Sequence, residues 1–571
     1  MRRHLRVRSL LAALASAAVL ASGVGLGAAQ GAVAAAGPVY GGTLDLSTQN
    51  PPQTLDVGKS GDILTYQFMY LLYNTLVSYA PTSSRIVPSL ATSWSHNAKG
   101  TVWTFNLRKG VTFSNGDPFT SQDVVFTYTR LNEGVTSAPS QSDFAVIQGA
   151  NALFNATAKS APASAHVAGV VAEGPYRVRI TLTTPEAFFL NVLALTSAGI
   201  EDAKVAGRYN ALERAGKPID PVGTGPFILQ PVGASPSQYV FVRNPHYWNR
   251  GLPYLNKIVI HVGASPSLQL AQFERGQIQA MPPFIEYFGV QPAQYLEIVK
   301  NPTLRKEYYI QPDIGFNNLG FDVQAKPWNN VKVRQAVEYA LNKKLIWEVL
   351  SNGRGKIANS ILPPGMPGYE PTYNPYPVDY SSPASIARAQ AKARQLLKEA
   401  GYPNGLNAGT FYLPAGLGDA QLAPLVVTEL AQVGIHVQAK VVTLGAFINL
   451  LLAKPSQLTF YRSGWTQDYP DPQDFMFNMF DGAEAGNNNL DFVNDPTVNR
   501  LLAAADTSLN QAQRLKLYDR VQHIAMQQAW VVPLTFAYQD GLIGPNAYPK
   551  NPVIWAHPVL PAQLDRVWVT K

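Results

Sequence analysis

Strand-like and helix-like patterns interleave along almost the whole of this 571-residue chain, and that mixture constrains the fold more than any other feature. Residues 101–107 alternate, with Val102, Thr104 and Asn106 on one face and Trp103, Phe105 and Leu107 on the other. Residues 176–182 set Arg177 and Arg179 against Val178 and Ile180, and 239–243, 257–262 and 435–442 also read as strands. Helical spacing predicts helices over 121–130, with Thr120 or Ser121 as cap, over 331–350, and over 514–529. Two more, over 385–400 and 424–433, are closed by Gly401 and Gly434. The stretch 135–169 has little period and reads as a long surface excursion, and 363–383, rich in Pro, Gly and Tyr, as an ordered loop. So long a chain exceeds one ordinary core, so the expected architecture is α/β in more than one lobe.

Composition narrows the function classes. Hydrophobic residues make up 46% and aromatics 11%, enough for large cores and too much for a disordered chain. There is no cysteine, which excludes disulfides, thiolate metal sites, cysteine nucleophiles, Fe–S clusters and a lipid anchor on an N-terminal cysteine. The formal net charge is +8, but Arg2, Arg3, Arg6 and Arg8 supply four of those charges in an acid-free start. The remaining surplus is too thin for a nucleic-acid binder, and no dense basic stripe is present. Residues 1–36 read as a cleavable secretory signal: a basic start, the apolar run 10–20, then small residues leading to Ala32-Val-Ala-Ala-Ala36. The mature protein, from about Gly37, is expected outside the cytoplasm, in the periplasm or cell envelope exterior.

Several motifs that look chemical are not. Asn115-Gly116 is a tight-turn dipeptide ahead of a helix start. Pro221-Val-Gly-Thr-Gly-Pro226 lacks the Gly-Lys-Ser/Thr ending of a phosphate loop. His4, His96, His166, His246, His261, His436, His523 and His557 form no metal-ligand spacing. No Gly-x-Ser-x-Gly elbow is present. Asp468, Asp471 and Asp474 lack the Gly and closing Glu of a calcium loop, and Pro470 and Pro472 stiffen the segment. No cofactor, metal or catalytic residue is expected, and the chain reads as a binding protein rather than an enzyme.

Ordered blocks then carry a resemblance. Pro88–Trp94, Trp103–Phe126, Pro221–Phe227, Arg243-Asn-Pro-His-Tyr-Trp248, Val331–Val337 with Tyr339–Asn342, Ala393–Tyr402 and Gly464-Trp-Thr-Gln-Asp-Tyr-Pro-Asp-Pro472 span nearly the whole mature chain. Together they resemble bacterial extracellular solute-binding protein family 5, the peptide- and nickel-type receptors of ABC importers. Asp322 stands where the family often has Asn, and Gln279 where an acid is common.

The resemblance implies a periplasmic-binding-protein-like, two-lobed α/β fold (type II, class C-like) with three domains and a ligand cleft between lobes. It places domain I at about 38–85, 217–312 and 532–571, domain II at 86–216 and domain III at 313–531. The implied function is capture of an oligopeptide by hinge closure and delivery to the permease subunits of an ABC transporter, by a monomer. A buried peptide needs partners for both end charges. Within the segment 461–468, Asp468 can pair with the ammonium and Arg462 with the carboxylate. The backbone of Gly464 and Thr466 can lie beside an extended ligand, and Trp465 can wall a side-chain pocket. Matching residues hold these roles in the receptors that this chain resembles. The competing readings are an internal ion pair for Arg462 and Asp468 and core packing for Trp465. Other ligands in the family are oligosaccharides, chelated nickel and small solutes. From other classes, a secreted hydrolase and a surface sensor without a transporter remain as alternatives.

Overall fold

The alternating segments assemble into three principal sheets, each backed by its own hydrophobic core. The computed structural model describes residues 37–571 except 161, 163, 234, 282–288, 416–418, 452, 454–456, 551–561 and 571. The signal segment expected at 1–36 lies outside the described residues. The first sheet runs Thr43–Thr48, Lys257–Val262, Gln238–Arg243, Phe227–Leu229, with the first pair parallel and the others antiparallel. The second is antiparallel, in the order Ala91–His96, Val102–Leu107, Arg177–Thr181, Val170–Ala172. Trp103, Phe105 and Leu107 face its core, as do Val178 and Ile180, because only the apolar face of each strand is removed from water.

The third sheet has six strands, Lys356–Ile357, Val531–Leu542, Tyr308–Phe321, Phe460–Thr466, Leu406–Pro414 and Ile435–Val442. Two of these strands join the lobes. Tyr308–Phe321 and Val531–Leu542 pair antiparallel from Tyr308↔Leu542 to Gly320↔Val531. At one end Tyr309 enters the core of the first sheet, together with Ile543 just past the second strand. At the other end Leu319, Phe321, Val532 and Leu534 enter the core around Trp328 and Phe411. Each strand thus starts in one lobe and finishes in the other. The two lobes are further tied at this crossing by Arg354, whose buried guanidinium meets Asp540 at 2.6 Å and the Val290 carbonyl at 2.8 Å.

Local chemistry explains most boundaries. Thr120 and Asp123 form a reciprocal capping box that starts the helix Ser121–Leu131. Gly225 donates its N–H to the Leu72 carbonyl at 2.8 Å, and a Cβ on Gly223 would lie 2.1 Å from the same oxygen. Backbone therefore packs on backbone there, which only glycine permits. The loop expected over 363–383 carries no helix up to 382 and buries Met366 and Tyr376, and Pro383 opens the helix Pro383–Glu399.

Two expectations are corrected. The helix expected over 331–350 is two helices, Val331–Ala340 and Lys343–Ser351. Asn342 breaks it by capping the second, accepting from the Leu345 N–H at 3.1 Å, while its own N–H goes to Glu429. The stretch 135–169 is not a surface excursion alone. It folds into Gln141–Phe144 and Ala150–Ala156 and sends Phe144, Ile147, Ala150 and Val167 into the second sheet's core. Its anchors are spaced too irregularly to show a period. The two departures from the family pattern are both engaged locally: Gln279 accepts from the Asp45 N–H at 2.6 Å, and Asp322 from the Gln324 N–H at 2.9 Å.

Candidate functional site

The strand Phe460–Thr466 is seated by its first residue. Phe460 is fully buried and its ring meets Phe321, Trp328 and Phe411 at centroid distances of 5.3, 4.7 and 4.6 Å. The period of two then puts Arg462, Gly464 and Thr466 on one face of the strand and Ser463 and Trp465 on the other. The chain leaves the sheet at Thr466 and turns through Gln467 and Asp468. These three residues form one wall of a cavity of about 810 Å³. The opposite wall comes from residues 49–53 and 61–64 and Tyr66, at the start of the helix Ile63–Leu72.

The turn carrying Asp468 is organised from beneath by Asp474. Its carboxylate accepts from the Asp468 N–H at 3.0 Å and from the Trp465 indole N–H at 3.3 Å. Asp471 caps the helix Pro472–Phe480 and holds the buried Arg514 guanidinium at 2.8 and 3.0 Å. So Asp471 and Asp474 shape the segment. Among the described residues no cluster of three or more His, Asp or Glu is arranged to hold a metal ion.

Asp468 is open to the cavity yet walled by protein, and burial raises its carboxyl above the usual range. Asp474 is raised well above it, by burial and then by Asp468. Asp143 is pushed to about 7, by burial and then by the charge on Asp468. Glu186 is pushed to about 8, by burial, then by Asp506 and Asp143. Tyr66, on the far wall, is raised by burial and by Asp468 and Asp143. Asp62, also on that wall, caps the first helix with one carboxylate oxygen and buries the other without a hydrogen-bond partner. Asp62 and Asp468 thus line this cavity, and the charge on Asp468 raises the proton affinity of Asp143 and Asp474 near it.

Arg462 lies one strand turn back. Its guanidinium donates to Asn317 Oδ1 at 2.6 Å and to the Ser463 carbonyl. Arg462, Gly464 and Trp465 are not among the cavity-lining residues, which include Thr466 and Asp468. Trp465 is half-buried against the core that contains Phe316 and Phe475. Gly464 has a structural reason to be glycine, since a Cβ there would lie 2.8 Å from the Phe316 carbonyl and 3.2 Å from the Arg462 guanidinium. Gly464→Ala is therefore expected to displace Arg462 and destabilise the protein by about 1–3 kcal/mol, read as a lower thermal midpoint.

Sequence reasoning missed the wall of 49–53, 61–64 and Tyr66, whose Gln, Asn and Pro residues carry no charge pattern, and it missed Asp143. Asp143 lies in the aperiodic stretch, where nothing in the spacing marks it as facing Asp468.

This fold and cavity define a two-lobed receptor for a small solute, and the chain is a member of the bacterial extracellular solute-binding proteins, family 5, whose middle region matches residues 85–487. It is similar to Heme-binding protein A of Haemophilus influenzae, 29% identical over 84% of this chain and 85% of the relative. It is likewise similar to the Dipeptide-binding protein of Escherichia coli, 28% identical over 80% of this chain and 82% of that one. The same fold is seen in the unliganded open form of the murein tripeptide binding protein MppA, with TM-score 0.76, 23% identity and 94% and 99% of the two chains covered. DppA from Helicobacter pylori, solved with the peptide STSA, superposes with TM-score 0.71 at 25% identity over 93% of this chain and 99% of that one. No helix among the described residues is long and apolar enough to cross a membrane.

Proposed function

We propose that this protein is the extracytoplasmic receptor of an ABC importer, that it captures peptides between its lobes and that it passes them unchanged to membrane permease subunits. The observation that carries the reading is the cavity wall of Thr466, Gln467 and Asp468, with Asp143 and Asp474 raised in proton affinity beside it. A peptide ammonium placed there neutralises charge that the protein itself leaves facing the cavity. Asp468 is the ammonium partner. Arg462 takes the carboxylate end, directly or through water, by turning from the Ser463 carbonyl. The backbone of Gly464 and Thr466 lies along the ligand, and Trp465 braces the strand from behind. Relatives named for di- and tripeptides support the ligand class. The relative named for heme supports a second reading, a non-peptide solute in the same cavity.

The three-domain division, at about 38–85 with 217–312 and 532–571, 86–216, and 313–531, is part of this proposal. The separate cores of the first, second and six-stranded sheets support it. Export by the segment 1–36, without a lipid-anchored cysteine, and a monomeric state complete it. The chain performs no chemistry on its ligand.

The charge logic predicts a pH profile. An ammonium ligand prefers ionised carboxylates, so affinity rises as pH increases through about 7, the value for Asp143. It falls again as the ligand's own α-amine loses its proton near about 8. Calorimetry with trialanine from pH 5 to 9 is expected to show this maximum between the two. A flat profile would remove the ammonium from the site.

A further inference from the structure

Asp468 is followed by a residue that belongs to another core. Tyr469 is 4% exposed and packs among residues of which every other fully buried member lies between Leu76 and Ile200. The strand that precedes it, Phe460–Thr466, is by contrast anchored through Phe460 in the core around Trp328. The Tyr469 ring stacks on Phe188 at 5.8 Å between centroids and 8° between planes. Beside this stack the Ala187 N–H donates to the Asp506 carbonyl at 3.0 Å. The Tyr469 hydroxyl donates to Gln473, and its carbonyl accepts from the Asp471 N–H at 2.8 Å. So one side chain is plugged into the core of 76–200 while its backbone is fixed to the turn that presents Asp468.

We infer that Tyr469 is a positioning residue for ligand capture, a plug that enters the core of residues 76–200 as the cleft closes and sets Asp468 against the cavity. The inference rests on the reading of Asp468 as a ligand contact. Several observations favour a plug over ordinary packing. Tyr469 is adjacent to a cavity-lining residue. Among the described residues it is the one buried member of that core from beyond Ile200. The contacts that accompany it, Phe188 with Tyr469 and Ala187 with Asp506, also join the two bodies. An aromatic seated across a moving interface favours the closed form by whatever it gains on insertion.

The test uses the full mature chain with trialanine as probe, stopped-flow fluorescence for dissociation and small-angle scattering for closure. Tyr469→Ala is expected to speed dissociation roughly ten-fold and to shift the scattering of the trialanine-saturated protein toward the open form. Tyr469→Phe keeps the ring and is expected to restore dissociation to within about two-fold of the parent. Phe188→Leu, which lies on the other side of the stack and away from the cavity, is expected to act in the same direction as Tyr469→Ala, and it serves in its place should that variant fail to fold. If the variants only lower the thermal midpoint, with dissociation and scattering unchanged, the inference is wrong. If the parent does not bind trialanine at all, the peptide reading fails separately. The plug is then judged on the ligand-free scattering: a more open Tyr469→Ala supports it, and an unchanged one overturns it.

Discussion

Asp468→Asn is expected to weaken trialanine binding by about 3 kcal/mol, on the order of 100-fold, while leaving the ligand-free protein as stable as before or more so. The two halves of this expectation have one cause. Without ligand, the charge on Asp468 raises the proton affinity of both Asp143 and Asp474. Removing one charge relieves that repulsion. With a peptide bound, the same charge is the partner of the ammonium, and the amide leaves that ammonium poorly compensated in a closed cleft. Calorimetry gives the affinity and a melting scan gives the stability. A variant that binds trialanine as tightly as the parent would sink the ammonium assignment. One that loses binding together with stability would make Asp468 a structural residue. Asp474→Asn is the contrast: Asp474 accepts from both the Asp468 N–H and the Trp465 indole, so its change is expected to lower stability as well as affinity.

The parts of the fold that were legible in the sequence are those where one face of an element is apolar and the other is not. Trp103, Phe105 and Leu107 against Val102, Thr104 and Asn106 told the second sheet's strand and its inward face, and Ile435–Val442 was bounded by Gly434 on one side. Thr120 with Asp123 told where a helix starts. What escaped lay where tertiary contacts overrule pattern. The break at Asn342 depends on a bond to Glu429, which is 87 residues away in sequence. The burial of Phe144 and Val167 depends on a core assembled from distant strands. At the cavity, the segment around Asp468 was singled out by the opposite charges of Arg462 and Asp468 and by its resemblance to the family motif, and of its five candidate residues Thr466 and Asp468 line the cavity. Its convergence with Asp143, and the seating of Tyr469 in a foreign core, are facts of three-dimensional packing that carry no local mark. The same packing makes Gly464 ambiguous: the missing side chain suits a ligand backbone, yet the Phe316 carbonyl already demands it.

Arg130→Ala is expected to be the most destabilising single change outside the hydrophobic cores. The guanidinium is 3% exposed and donates to Asp56 Oδ1 and Glu201 Oε1, both at 2.7 Å, and also to Asp56 Oδ2. Asp56 and Glu201 are themselves fully buried, so one cation serves two carboxylates. Even with Arg130 present the balance is acidic, and Glu201 is pushed up to about 7, by burial against the opposing pull of Arg130. Deleting the cation strands two buried carboxylates, at a cost of about 3–5 kcal/mol. In a lobe of this size that corresponds to a fall of roughly 10 °C in the thermal midpoint. The sign of the pH dependence follows from Glu201. Its folded value lies above its unfolded one, so its contribution to stability is fully present below the unfolded value and is lost as pH rises through about 7. Removing Arg130 raises that carboxyl further. The variant should therefore lose least at pH 5 and most above pH 7, and melting scans at the two ends of that range measure the difference. Adding Glu201→Gln to Arg130→Ala should recover part of the loss at pH 8 and little at pH 5. A loss that is independent of pH, and that the double variant does not relieve, would mean that Arg130 acts through its packing on the Tyr209 ring rather than through its charge.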